Sequence, residues 1–194
     1  NVVVFGPSTI DARWLSVQLL AINVTRDTPV SLAQLELPAG AHFLACIVGS
    51  TGGDWTVSDR FKLVDREHPL TLRAHRVGTV TAPPFVLTFE YWLLAPLIGV
   101  CDDGVTTWYV LGERASKFVA LSRDRFTRIA FDARACSVTV FARVQRNESV
   151  TVEAVRTPPQ RVLRATMSDA AQFERRFGEQ WIEIQVRFAH TNNE

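Results

Sequence analysis

The most regular pattern in the chain is an alternation of apolar and polar residues near its C-terminal end. In WIEIQVRFAH, residues 181–190, Ile182, Ile184, Val186 and Phe188 alternate with Glu183, Gln185 and Arg187. A period of two puts each set on one side of a pleated strand, one face toward a core and one toward water. CSVTVFARV has the same rhythm, with Val138, Val140, Ala142 and Val144 on one face. QRNES then reads as a loop, and VTVEAV as the next strand of a hairpin.

Other segments vary the theme. RWLSVQLLAINV alternates through Leu15, Val17 and Leu19, then resumes through Leu20, Ile22 and Val24. A slip of one residue predicts a bulge. FVLTFEYWLL is apolar on both faces near its end, which predicts a central strand covered on both sides. NVVVF, AHFLACIV, WTVSDRFKLV, LTLRAHRV, TTWYVLG, FVALS, TRIAF and QRVLRAT are further short strands with turn residues between them. One stretch argues for helix. SDAAQFERRFG opens on Ser168 and Asp169 as caps, carries Gln172 three beyond Asp169, spaces Phe173 and Phe177 by four, and ends on Gly178.

This pattern predicts an all-β fold: one antiparallel β-sandwich domain over residues 1–194, of jelly-roll or another Greek-key form, with one short helix near residues 168–178. A single-layer sheet could not bury so many apolar strand faces. TAPPF and RTPPQ hold the Pro-Pro pairs and read as stiff loops ahead of strands, not as domain boundaries.

Composition adds little to that architecture. The net charge is +1, with acids interspersed among the bases and no basic arm, so there is no strong nucleic-acid signal. Of the 21 basic residues only Lys62 and Lys117 are lysine. No apolar run is long enough to span a membrane as a helix. The chain begins with Asn, which leads us to expect a processed product or an excised domain. Cys46, Cys101 and Cys136 match no zinc spacing; their odd number argues against a complete disulfide framework, and Cys46 and Cys136 read as core thiols.

Candidate chemistry is sparse. Gly49, Ser50, Thr51, Gly52 and Gly53 form a cluster that could wrap a phosphate with backbone N–H groups. A P-loop needs Lys and then Ser or Thr after its last glycine, whereas Asp54 and Trp55 follow here, so a glycine-supported turn between strands is the better account. Cys101-Asp102-Asp103-Gly104 offers paired carboxylates but is also a recipe for a tight turn. His42, His68, His75 and His190 form no metal-binding motif, and no cofactor is expected. Asn23-Val24-Thr25 and Asn147-Glu148-Ser149 are chemically competent N-glycosylation sequons. Trp55 and Trp108 stand next to turns, where an aromatic can stack on a partner or a ligand.

Two resemblances bear on function. GSTGG is similar to the glycine-rich segment of all-β nucleotide hydrolases of the dUTPase type, but it lies in the first third of the chain, where that family has it near the end. PPFVLTFEYW, TTWYVLG and the closing WIEIQVRFAH resemble strands of the single jelly-roll coat proteins of small icosahedral picorna-like and plant viruses. That resemblance implies a non-enzymatic structural subunit of a virion, packing against copies of itself or sister subunits. The chain departs from many coat proteins in lacking an Arg/Lys-rich arm, which puts genome packaging by this chain in doubt. The alternatives are a secreted or viral-surface β-sandwich module that recognises a host surface protein or glycan through its loops, and a nucleotide-directed hydrolase.

Overall fold

The computed structural model describes residues 2–10, 14–50, 59–74, 89–115, 117, 119–145, 148–168, 175–177 and 181–189. They gather into two compact units, one of Asn1–Pro7 and Val17–Ala95, the other of Ser8–Ser16 and Pro96–Glu194.

The first unit is built on the first part of β1 (Val2–Ile10), the second part of β2 (Trp14–Ile22), β3 (Thr28–Val30), β4 (Phe43–Ser50), β5 (Phe61–Val64), β6 (Leu70–Leu72) and the first half of β7 (Phe89–Val100). Strand β7 lies between β2 and β4, and β5 pairs with the far side of β4. Residues Tyr91 to Ala95 of β7 are all buried, as expected of a central strand covered on both faces. Strand β2 is covered in the same way. Ser16 and Gln18 are as inaccessible as Val17 and Leu19, and the register with β7 runs unbroken from Val17–Leu94 to Ile22–Phe89. The phase slip read from the sequence is therefore no bulge within that register, but apolar residues serving two buried faces. β3 and β6 form a separate two-stranded ribbon.

The second unit is a sandwich. Its first sheet runs from the second half of β7 through β8 (Thr107–Gly112) and β11 (Ser149–Thr157) to β12 (Arg161–Ser168). Its second sheet has β9 (Phe126–Asp132), β10 (Ser137–Gln145), β13 (Arg175–Phe177) and β14 (Trp181–Ala189) in the order β13-β14-β10-β9. Trp108 and Val110 of β8 and Val150, Val152 and Ala154 of β11 form one buried cluster with Val138, Val140, Ala142 and Val144 of β10 and Ile182, Ile184 and Phe188 of β14. Each aliphatic side chain so buried removes apolar surface worth roughly 1.5–3 kcal/mol. The two sheets thus meet through the faces that the alternation marks out. β11 returns to lie beside β8 after β9 and β10 have been laid in the opposite sheet.

Four local expectations are corrected. β10 and β11 are not a hairpin: β9 and β14 take both flanks of β10, so the chain crosses to the other sheet, where β8 and β12 flank β11. In the segment expected to be the helix at 168–178, Ser168 ends β12 and Arg175–Phe177 is strand β13, paired with β14; residues 169–174 and 178 lie outside the described residues. In FVALS, the described residues Val119 to Ser122 are not strand. Its Ala120 and Leu121 are buried in a turn, where the Ala120 carbonyl accepts from the Glu113 N–H at 2.9 Å. Cys136 is not a core thiol but is disulfide-bonded to Cys101, while Cys46 is buried and takes no part in that bond. The bond ties the β7–β8 turn to the β9–β10 turn, and the Asp102 N–H adds a hydrogen bond to the Ala133 carbonyl at 3.1 Å.

Gly112, at the end of β8, has φ +70°, and a Cβ there would stand 2.1 Å from the Ala120 carbonyl oxygen. Gly112→Ala is expected to cost at least about 2 kcal/mol through the left-handed backbone and the clash, lowering Tm by about 4–8 °C. Gly40→Ala, with nothing within 4 Å, should change stability by less than about 0.5 kcal/mol. Thermal unfolding followed by circular dichroism checks both. Replacing Cys101 and Cys136 together by serine is expected to cost about 2–4 kcal/mol in urea unfolding.

Candidate functional site

In the first unit, the strand order β5-β4-β7 brings three cations, a carboxylate and an indole to one pocket of about 410 Å³. Arg60 precedes β5 and Lys62 lies within it; two residues apart on extended chain, they project to the same side. Ile47 of β4 lies between, and Glu90 and Trp92 come from β7, again two apart. Arg73 follows β6 directly. Its position is set by the β3–β6 ribbon, in which Thr28 pairs with Leu72, and by the Ala74 N–H, which donates to Asp27 Oδ1 at 2.8 Å.

The side chains are held as well as brought together. Trp92 is almost fully buried, its Nε1–H donates to Glu90 Oε2 at 3.0 Å, and Lys62 Nζ stands 5.3 Å from its ring centroid. That is cation–π distance, so the lysine head is held over the aromatic face with its charge in solvent. The turn joining β5 to β6 is fixed by Asp65, whose Oδ1 accepts from the Glu67 and His68 N–H groups at 2.9 and 2.8 Å. His68 Nδ1 lies 2.9 Å from the same oxygen, and His42 Nδ1 is 3.8 Å from Oδ2. Burial pushes the Asp65 carboxyl up, but the bonds from His68 and Glu67 outweigh it and hold the group below its ordinary range. Arg60, Lys62 and Arg73 are exposed. Among the described lining residues three cations stand against one carboxylate, a balance that favours an anion.

A second charged constellation lies in the second unit. Arg125 donates from Nε to Glu113 Oε2 at 3.0 Å and from Nη1 to Glu148 Oε2 at 2.8 Å and to the Arg143 carbonyl at 2.7 Å. One guanidinium thereby ties the loop after β8 to β10 and to the connection between β10 and β11. The two carboxylates respond differently. Arg125 hydrogen-bonds Glu148 and holds its carboxyl below the ordinary value, whereas burial pushes the Glu113 carboxyl up against the pull of Arg125. The adjoining recess, lined by Glu113, Lys117 and Arg125, is only about 220 Å³. On β11, Glu153 is buried between Arg114 and Arg164, whose Nε atoms each donate to it at 2.6 Å.

The residues singled out in the sequence fare unevenly. Asn23 is exposed just after β2, with φ 49°, a conformation that asparagine tolerates well. Asn147 and Trp55 lie outside the described residues, as do 51–58 of the glycine segment; Gly49 and Ser50 close β4. Trp108 is fully buried in the sandwich core, so it offers a partner no contact surface. Asp103 is used by its own turn: Oδ1 accepts from the Val105 and Thr106 N–H groups and Oδ2 from the Thr106 hydroxyl at 2.6 Å. No grouping of His, Cys, Asp and Glu among the described residues could hold a metal ion. No helix among the described residues is long and apolar enough to cross a membrane. The pocket residues themselves carried no motif. The only signal was two pairs of polar or aromatic residues at strand spacing, Arg60 with Lys62 and Glu90 with Trp92, on strands that the sequence does not place side by side.

Comparison with protein-family models, with curated proteins and with solved structures finds no match for this chain.

Glu148→Gln tests the Arg125 network. A charged hydrogen bond of this kind contributes about 1–3 kcal/mol. Because the folded carboxyl titrates below its ordinary 4.5, its contribution is complete above that pH and is lost as pH falls through the lowered value. The stability gap between wild type and variant is therefore expected to be full at pH 7 and to shrink steadily below pH 4.5 in urea unfolding. A gap that stays constant down to pH 3 would contradict this account.

Proposed function

We propose that this chain is a non-enzymatic recognition module on a β-sandwich scaffold, and that it binds a negatively charged ligand at the pocket of Arg60, Lys62 and Arg73. The observation that carries this reading is the convergence of those three exposed cations on a pocket floored by Trp92. Its volume is in the range of ligand sites rather than surface dimples. The reading places the module outside the reducing cytosol, on a secreted protein or a virion surface. The Cys101–Cys136 disulfide supports that location, because such bonds persist in oxidising surroundings. The exposed sequon at Asn23 supports it too.

A titration with inorganic tripolyphosphate at low salt, followed by amide chemical shifts, tests the proposal. The largest shifts are expected at Ile47, Arg60 to Lys62, Arg73 and Glu90 to Trp92. They should vanish in an Arg60→Gln, Arg73→Gln double variant and weaken as salt is raised. Shifts centred on the second unit, or spread over all exposed arginines, would overturn it.

A second reading is a coat subunit of a small icosahedral virus, acting through packing against copies of itself or sister subunits. The return of β11 beside β8, after two strands laid in the opposite sheet, favours it, since coat sandwiches are two-sheet folds whose chain crosses between the sheets. It predicts a large symmetric assembly in light scattering, where the recognition module predicts a monomer or small oligomer.

A further inference from the structure

Strand β9 is an edge of the four-stranded sheet: among the described residues it pairs with β10 alone. In an antiparallel pair every second residue sends its N–H and C=O away from the partner strand. No backbone hydrogen bond joins residues 127–132 to a described residue outside the β9–β10 pair. Edge strands commonly blunt such a flank with lysine, proline or a bulge. Here the bulge lies at Thr127, where the register steps from Arg128–Phe141 to Phe126–Ala142. Beyond it Arg128 to Asp132 pair without a break against Phe141 to Ser137, and they include neither lysine nor proline.

That segment reads Arg-Ile-Ala-Phe-Asp, which is complementary to itself in the antiparallel sense. With a two-fold axis at Ala130, Arg128 faces Asp132 of a second copy and Asp132 faces its Arg128. The two Ala130 methyl groups meet on the axis. On the other face Ile129 meets Phe131 of the second copy. Exposure agrees with these faces: Arg128, Ala130 and Asp132 are exposed, Ile129 is buried, and half-buried Phe131 packs against the core. The charged groups have capacity left. Arg128 lies over the Phe141 ring, 3.8 Å from its centroid, a stack that leaves the in-plane N–H groups to donate. Asp132 accepts from the Ala135 N–H through Oδ1 at 2.9 Å, and Oδ2 is a second acceptor. Moving the axis by one residue either way removes both charge pairs, so the sequence specifies the register.

We infer that two copies of this chain pair antiparallel along β9 about an axis at Ala130. The two sheets then run on as one, in the order β13-β14-β10-β9-β9-β10-β14-β13. Such a contact uses the same patch on both copies and is complete with two. It draws on the second unit alone, so it stands or falls apart from the ligand pocket.

Sedimentation velocity at low salt tests the pairing. So short a contact pairs weakly, so wild type is followed from about 1 µM to about 500 µM. Its mass should rise from that of one chain to that of two and no further. Arg128→Asp or Asp132→Arg alone sets like charges face to face at both ends of the contact, and each should weaken association about tenfold or more. Mixed in equal amounts, the two variants restore both opposite-charge pairs and should associate within about threefold of wild type. Asp132→Arg also gives up the turn bond to Ala135, so circular dichroism checks its fold. Should it fail to fold, a cysteine cross-link decides alone. Directly opposed Cα atoms in a strand pair stand about 4.5–5.5 Å apart, within reach of a disulfide. Ala130→Cys should therefore join two copies under oxidised glutathione. Thr139→Cys, one strand farther from the axis on β10, holds its two backbones roughly 14 Å apart and should not. The pairing is overturned if wild type stays a single chain throughout or its mass grows past two chains. It is overturned equally if either charge reversal associates as wild type does, if the folded mixture does not, if Ala130→Cys fails to cross-link, or if Thr139→Cys cross-links as readily.

Discussion

A pleated strand sends every second side chain to each side, and each unit is a response to that constraint. In the second unit β10 and β14 spend one side wholly on the core, through Val138, Val140, Val144, Ile182 and Ile184. Everything polar on those strands is therefore forced outward, where Arg187 reaches the Ser137 hydroxyl and Glu183 accepts from Thr127. In the first unit the same geometry aligns Arg60 with Lys62 and Glu90 with Trp92, so that β5 and β7 each line the pocket with residues two apart. The pocket is a by-product of sheet order: move β4 out from between β5 and β7, and it ceases to exist.

Charge inside the second unit follows a different logic. Glu153 is nearly inaccessible and accepts from two arginines, one of them fully buried. Burying such groups is expensive, and their mutual attraction does little more than offset the desolvation. What the arrangement supplies is register. Arg164 faces Glu153 across the β11–β12 pair, and Arg114 reaches the same carboxylate from the loop after β8. A one-residue slip of β11 would carry Glu153 to the apolar side and leave two guanidinium groups without it. Arg125 does the same for the loop and the crossover, at a site closer to water.

The layout was legible where one strand's own period decided it, and illegible where neighbours did. The alternation in 181–190 and in 137–145 marks β14 and β10 and their buried faces correctly. The unbroken apolar run of β7 likewise reveals a central strand. QRNES looks like a hairpin loop because the two strands it joins have matching periods. Only the claims of β9 and β14 on both flanks of β10 send the chain to the other sheet. At 175–177 the pairing offered by β14 overrides a helix pattern read from caps and one Phe pair. The Cys101–Cys136 bond joins two turns from different sheets, so no spacing rule could reveal it. The pocket was hidden for the same reason. Its members sit on segments dispersed from 47 to 92 and meet only once β4 has found both its partners.

The bond between the two turns acts as the spine of a book. It fastens one end of the first sheet to the same end of the second, and a backbone contact from Asp102 to Ala133 runs beside it. The covers can part only from the fore-edge. Solvent must reach the interior from the end carrying the loop after β8 and the β10–β11 crossover, so amides at that margin should exchange with deuterium long before those near the spine.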